Sequence, residues 1–222
     1  VHYPNAQGLI LTTHHRLGRY SVIPQGEDEA DSLSHSGNQP VTLATHTQHV
    51  LDLVRLSLDQ LGLHAYGESL EAAARLHDWG KLDPRFQALL LGGNPHAAYA
   101  LPQPLAKSGQ HPTSFAAYEA ARQRANLPKG FRHEFASLLL AAQPAAATAL
   151  PTTAPQHALA LHLIASHHGY GRPFAPVIDD ETPPPVSTRR LGGTVAEVSP
   201  DMRREYPAHR LDSGIAERFW EL

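Results

Sequence analysis

Residues Ser69 to Lys81 read SLEAAARLHDWGK. The run from Ser69 to Trp79 predicts a helix that Gly80 ends, with His77 and Asp78 in its last turn. An adjacent His and Asp at a helix end can splay around one point in space. An aspartate has two oxygens, so it can bridge two cations while the neighbouring imidazole ligates one. Lys81, one turn further on, is placed to contact a phosphate or an outer ligand. A His-Asp pair alone occurs by chance in many proteins, so its weight comes from this context.

Reading outward, the chain is predicted to be helical on both sides. Upstream, Thr42 serves as N-cap for a helix carrying Leu43, His46, Val50, Leu53, Val54 and Leu61 at three- and four-residue steps, stopped by Gly62. Downstream, Asp83-Pro84 is an N-cap with Pro at the first helical position, opening a helix through Phe86, Leu89 and Leu90. Further helices are expected over Thr113 to Ala125 and Phe131 to Ala142, the second with His133 in its first turn. Pro155 opens another, closed by His167-His168-Gly169. Residues 1–39 read as an irregular lead-in or linker, and Arg172 to Arg210, with its prolines, as a long Pro-rich loop. A last helix from Asp212 or Ser213 is expected to bury Ile215, Phe219 and Leu222. The expectation is an all-α helical bundle over residues 40–222, cut short within that last amphipathic pattern.

Composition narrows the chemistry. The chain has 222 residues, enough for one sizeable domain, and no cysteine, which removes disulfides, thiolate nucleophiles and every cysteine-based zinc module. A metal must therefore bind through His, Asp or Glu, and there are 16 histidines. A net charge of −3 gives no strong pull on a nucleic-acid backbone, so local groups or metals must hold a polyanion. No stretch approaches the roughly 20 apolar residues of a spanning helix, and Val1 to Gly8 show no charged leader, so a cytoplasmic location is expected.

Three further histidine sites remain to be explained. His167-His168 ends an apolar helix, where surface histidines would also be favoured by the helix dipole. His46 alone on an apolar stripe is what a hydrogen-bonded core histidine looks like, and His133 alone fits a solvated first turn. Together with His77-Asp78 they form a set, each at or inside a predicted helix with apolar neighbours.

The ordered set Leu43-x-x-His46-x-x-x-Val50, His77-Asp78-x-x-Lys81, Arg132-His133-Glu134-x-x-Ser137 and Ser166-His167-His168-Gly169 resembles the HD nuclease domain of the CRISPR-associated nuclease-helicase of type I systems. Gly130 to Glu134, His168-Gly169-x-x-Arg172-Pro173 and Ala216 to Trp220 are similar to the subtype I-U (I-G) branch, in which the HD domain follows a helicase on the same chain. The resemblance implies an HD-type all-α fold and a two-metal nuclease acting on single-stranded DNA opened by a guide-RNA surveillance complex. It also implies roles: His46 and His77 on a first metal, Asp78 bridging, His133, His167 and His168 on a second, Lys81 near the scissile phosphate. Arg132 and Arg172 are candidates for holding the substrate. Family members carry a further Asp beyond the Phe-Trp motif, and the chain ends at Leu222 before that position; Asp212 has different surroundings.

Nitrogen-rich ligation favours two divalent transition-metal ions (Mn, Fe, Co, Ni or Zn) over Mg, which prefers oxygen ligands. Arg122, Arg124, Lys129 and Arg132 could steer a strand or be solvated charges. Arg189, Arg190, Arg203 and Arg204 read as solvated, and Trp79 and Phe86 as core. Two other functions stay open: a phosphohydrolase of nucleotides or cyclic nucleotides on the same fold, and a metal-binding helical module without catalysis.

Overall fold

The computed structural model describes residues 39–110, 112–168, 173–193 and 195–222. The expected lead-in therefore falls, apart from Gln39, outside the described residues, as do Gly169 and Arg172. Helix α1 (Leu43–Leu61) starts where Thr42 accepts a hydrogen bond from the Thr45 amide, and Gly62 closes it in the left-handed conformation at φ 66°. Both ends match the sequence expectation.

Helix α2 (Gly67–Leu76) begins two residues early and ends before the His-Asp pair, which leads into a 3-10 turn at Trp79–Leu82. Gly80 therefore does not stop the helix, and it has no positive φ. Its missing side chain serves packing instead: a Cβ there would lie 1.9 Å from the His133 carbonyl oxygen.

Helix α3 (Pro84–Leu90) opens as expected, with the Asp83 carboxylate accepting from the Arg85 amide. The short α4 (Pro95–Ala100), capped by Asn94, was not anticipated. Then follow α5 (Phe115–Arg124, capped by Ser114), α6 (His133–Ala141) and α7 (Ala154–Ser166), each within a few residues of its predicted bounds. Strand β1 (Val41–Thr42) pairs antiparallel with β2 (Leu105–Lys107). These strands are too short to alter the class, and the fold is an all-α bundle.

The stretch 172–210 is not simply a loop. It holds β3 (Val186–Ser187), a 3-10 turn (Thr188–Leu191), β4 (Glu197–Val198) paired with β3, and helix α8 (Pro200–Glu205). Each element is shorter than the window in which a period can be read. Burial holds them in place: Val186, Ala196 and Val198 share a core cluster with Leu43, Leu82 and Leu140. Arg203, expected to be solvated, turns its side chain inward, its Nη2 lying 2.8 Å from Asp83 Oδ2 and its Nη1 donating to the Pro184 carbonyl. Arg85 joins the same network through Asp83 and Asp180. Arg189 and Arg204 are surface charges paired with Glu197 and Asp201, and Arg190 donates to the Leu101 carbonyl.

A second cluster joins α2, α6 and α7 through Leu76, Leu138, Ala160 and Ile164, and Ile215 of α9 (Ile215–Glu221) packs onto it. Phe219 is only half-buried and Leu222 is exposed, against expectation, because this seven-residue helix lays little more than its first turn on the core. A third cluster forms around Phe86, which is fully buried with Leu89, Tyr118 and Phe131, while Trp79 packs between the other two clusters. No described helix is long and apolar enough to cross a membrane.

Candidate metal centre

Four elements converge on Asp78. His46 projects from the first turn of α1, His77 and Asp78 from the end of α2, His133 from the start of α6, and His167 and His168 from the end of α7. The Asp78 carboxylate divides its oxygens between them. Oδ2 lies 3.3 Å from His46 Nε2 and 3.4 Å from His77 Nε2, whereas Oδ1 lies 3.1 Å from His133 Nε2 and 3.7 Å from His167 Nε2. His168 Nε2 sits 3.0 Å from His133 Nε2. Two groups result, His46-His77-Asp78 and His133-His167-His168, each with donor atoms within 4.8 Å of one another.

The protonation chemistry of these groups suits a cation. Burial pushes His46 down to about 4, and His133, His167 and His168 each down to about 3, so their rings are neutral with free lone pairs near pH 7. His77 differs, because Asp78 more than offsets the effect of burial and raises it. Burial also opposes ionisation of Asp78, but Lys81 and the surrounding imidazoles outweigh it and hold the carboxyl well below its usual range. The tautomers follow from second contacts: His77 Nδ1 faces the Ala74 carbonyl and His167 Nδ1 the Ile164 carbonyl, both at 2.9 Å. Carbonyls only accept, so each Nδ1 carries the proton; Nε2 of the neutral His167 then offers a lone pair, while Nε2 of His77 is the nitrogen turned toward Asp78.

The lone pair on His167 Nε2 faces the buried Asp78 carboxylate and repels it unless something positive lies between them. Asp78 Oδ2 and His167 Nε2 are both buried without a hydrogen-bond partner, although Lys81 Nζ is an ion-pair neighbour of Oδ2 at 3.0 Å. These orphaned atoms and the nitrogen-rich donor set fit divalent transition metals.

The scaffold around the site uses Ser137, which stands in the motif quoted from the sequence, and Gln87, which the sequence did not single out. The Gly80 amide donates to Ser137 Oγ at 2.7 Å, and that hydroxyl donates to the His133 carbonyl at 3.0 Å, tying the His-Asp turn to α6. Gln87 donates from Nε2 to the Lys81 and Leu105 carbonyls and accepts from the Leu105 amide, fixing the Lys81 turn against β2. For Gln87 the available signal was a polar residue at a helix position with apolar neighbours. Of the basic candidates, Arg132 is paired with the buried Glu134, Arg122 with Glu119, and Arg124 donates to the Gly92 carbonyl. Arg172 falls outside the described residues. Asp212 pairs with Arg210 at the surface.

Residues 38–206 match the family described as Cas3, HD domain, a span that includes all six candidate ligands and Lys81. The chain belongs to the Cas3 HD-domain family. Comparison with curated proteins and with solved structures finds no match. Membership implies a metal-dependent hydrolase of the nuclease type that serves CRISPR defence. The match is to the Cas3 HD domain as a whole and does not distinguish the subtype I-U (I-G) branch.

Proposed function

We propose that this Cas3 HD domain, residues 40–222, hydrolyses phosphodiester bonds of single-stranded DNA with two divalent cations. The observation that carries this reading is the division of the Asp78 oxygens between two histidine groups. In it, His46, His77 and Asp78 would hold one ion and His133, His167 and His168 the other, with Asp78 placed between the two groups. Two such ions would supply an acidified water and Lewis-acid stabilisation of the phosphate, so no protein nucleophile would be required. Lys81, buried beside Asp78, holds a phosphate oxygen in place, and Arg132 and Arg172 contribute charge toward the strand. Neutral imidazole ligands favour Mn, Fe, Co, Ni or Zn over Mg. The sequence likeness to the subtype I-U (I-G) branch supports a helicase domain as partner, with a guide-RNA surveillance complex opening the DNA in the cytoplasm.

The test compares the wild type with Asp78→Ala on labelled single-stranded DNA and a panel of nucleotides, with Mn, Ni, Co or Mg and a chelator control. Bound metal and thermal shift are measured alongside. Wild type should cut DNA in preference to nucleotides and gain about 5–10 °C in Tm at metal concentrations near 100 times Kd. Asp78→Ala should lose turnover, bound metal and the thermal shift together. Full activity in that variant refutes the bridging assignment, and turnover of nucleotides alone refutes the nuclease.

A further inference from the structure

We propose that the cavity between α6, α7, α8 and α9 is a binding site for a small organic carboxylate, with Arg218 gripping its anionic end. The proposal does not depend on the nuclease reading, and none of the six candidate metal ligands is among the described residues that line the cavity. Its volume, about 330 Å³, falls within the range of small-molecule sites. Phe135, Leu138 and Leu139 of α6 and Leu161 of α7 give it apolar walls, and Arg218 of α9 borders it.

The charges around the cavity are paired off, with one exception. Asp180 accepts from Nη1 and Nη2 of Arg85, each at 2.8 Å, and Asp212 accepts from Nε and Nη2 of Arg210 at 2.7 and 2.6 Å. Arg203 lies against Asp83, and Arg132 against Glu134. Arg218 is the exception: its Nε and Nη2 are both buried without a hydrogen-bond partner. Burial pushes this guanidinium below its ordinary value, and Glu217 and Glu221 of the same helix, both exposed, only partly offset the effect. A buried cation without a partner is costly, and an anion in the cavity would remove that cost.

The orphaned pair of nitrogens identifies the anion. Nε and Nη2 form the edge of a guanidinium that takes a carboxylate side-on, and this chain uses the same edge at Arg85 on Asp83, Arg122 on Glu119 and Arg210 on Asp212. In Arg218 the opposite corner, Nη1, packs on Gly214, where a Cβ would stand 2.5 Å from it. The orphaned edge is therefore the one turned away from Gly214. Two parallel N–H donors match the two oxygens of a carboxylate, and one uncompensated positive charge matches a monoanion better than a phosphate dianion. The apolar walls suit a hydrocarbon body rather than a sugar.

The experiment titrates wild type, Arg218→Met and Arg218→Lys with naphthoate, its neutral amide naphthamide, and naphthyl phosphate. Calorimetry reads Kd in metal-free protein, and the naphthoate titration is repeated with Mn. Wild type should bind naphthoate about 10-fold or more tightly than the amide, as expected for a charge-assisted paired contact, and more tightly than the phosphate. Its Kd should be the same with and without Mn. Arg218→Met should weaken naphthoate binding about 10-fold or more and lose the preference over the amide, whereas Arg218→Lys should keep part of it. Without ligand, Arg218→Met should keep or raise the urea midpoint, because it removes an unpaired buried charge. The proposal is overturned if wild type does not bind naphthoate up to about 10 mM, or binds the amide equally or the phosphate more tightly. Unchanged naphthoate binding in Arg218→Met overturns it as well, and a Kd that depends on Mn would place the ligand at the metal centre instead. A lower ligand-free midpoint in Arg218→Met does the same, since it would show that the guanidinium already has its partner within the fold.

Discussion

Replacing Gly80 by alanine tests how closely fold and site are joined. The added Cβ would stand 1.9 Å from the His133 carbonyl oxygen and 2.8 Å from both the His133 carbonyl carbon and the Ser137 amide nitrogen. All three atoms are backbone of α6, so no side-chain rotation relieves the contact. The turn must move off the helix by about 1 Å or more before the contact reaches ordinary range. That movement breaks the hydrogen bond from the Gly80 amide to Ser137 Oγ, in a region with little access to water. Overpacking costs roughly 1–3 kcal/mol and a buried hydrogen bond about 1 kcal/mol, giving about 2–4 kcal/mol in all. With a urea m-value of about 2 kcal/mol/M, the unfolding midpoint should fall by about 1–2 M. The same movement separates Asp78 from His133, now 3.1 Å apart, so metal affinity should fall as well. Circular dichroism in urea and metal titration of the refolded protein read the two effects. A Gly80→Ala protein with the wild-type midpoint and metal affinity would show that the turn and α6 are not in backbone contact.

Two further outcomes follow from buried charge. In chelator, the urea midpoint should fall as pH is lowered from 7 to 5, because four imidazoles depressed to about 4 or about 3 refuse protons that the unfolded chain takes up below about 6.5. Their contribution is complete above the unfolded value and is lost as pH drops toward the folded values; the raised His77 acts in the opposite sense but is outnumbered. A flat or rising midpoint over that range would mean that the rings are protonated in the folded protein. Asp83→Ala should destabilise by about 3–5 kcal/mol, since it removes the fully buried carboxylate shared by Arg85 and Arg203 and also the cap of α3. A change below about 1 kcal/mol in thermal unfolding would show that Asp180 alone balances both guanidinium groups.

Much of the helical frame was legible from local chemistry. Thr42, Gly62 and the Asp83-Pro84 pair act through atoms a few residues away, so their meaning survives without knowledge of the fold. The end of α2 was misread for the same reason. Gly80 looked like a helix stop, but its purpose lies in a neighbour 53 residues on, the His133 carbonyl that a side chain would strike. The segment 172–210 was unreadable because elements of two to six residues carry no period, and what holds them is burial against Leu43, Leu82 and Leu140 from distant parts of the chain.

The six candidate ligands could be named from the sequence because a chain without cysteine leaves histidine and the carboxylates as metal donors, and because the order and spacing of these six resembled a known family. Residue type is a local property and is written in the sequence. Which oxygen of Asp78 faces which histidine, which imidazoles are neutral, and that Gln87 and Ser137 brace the site are properties of relative position. They arise only when α1, α2, α6 and α7 pack together, since burial, Coulomb interaction and hydrogen bonding all depend on distances across the fold that no run of neighbouring residues contains.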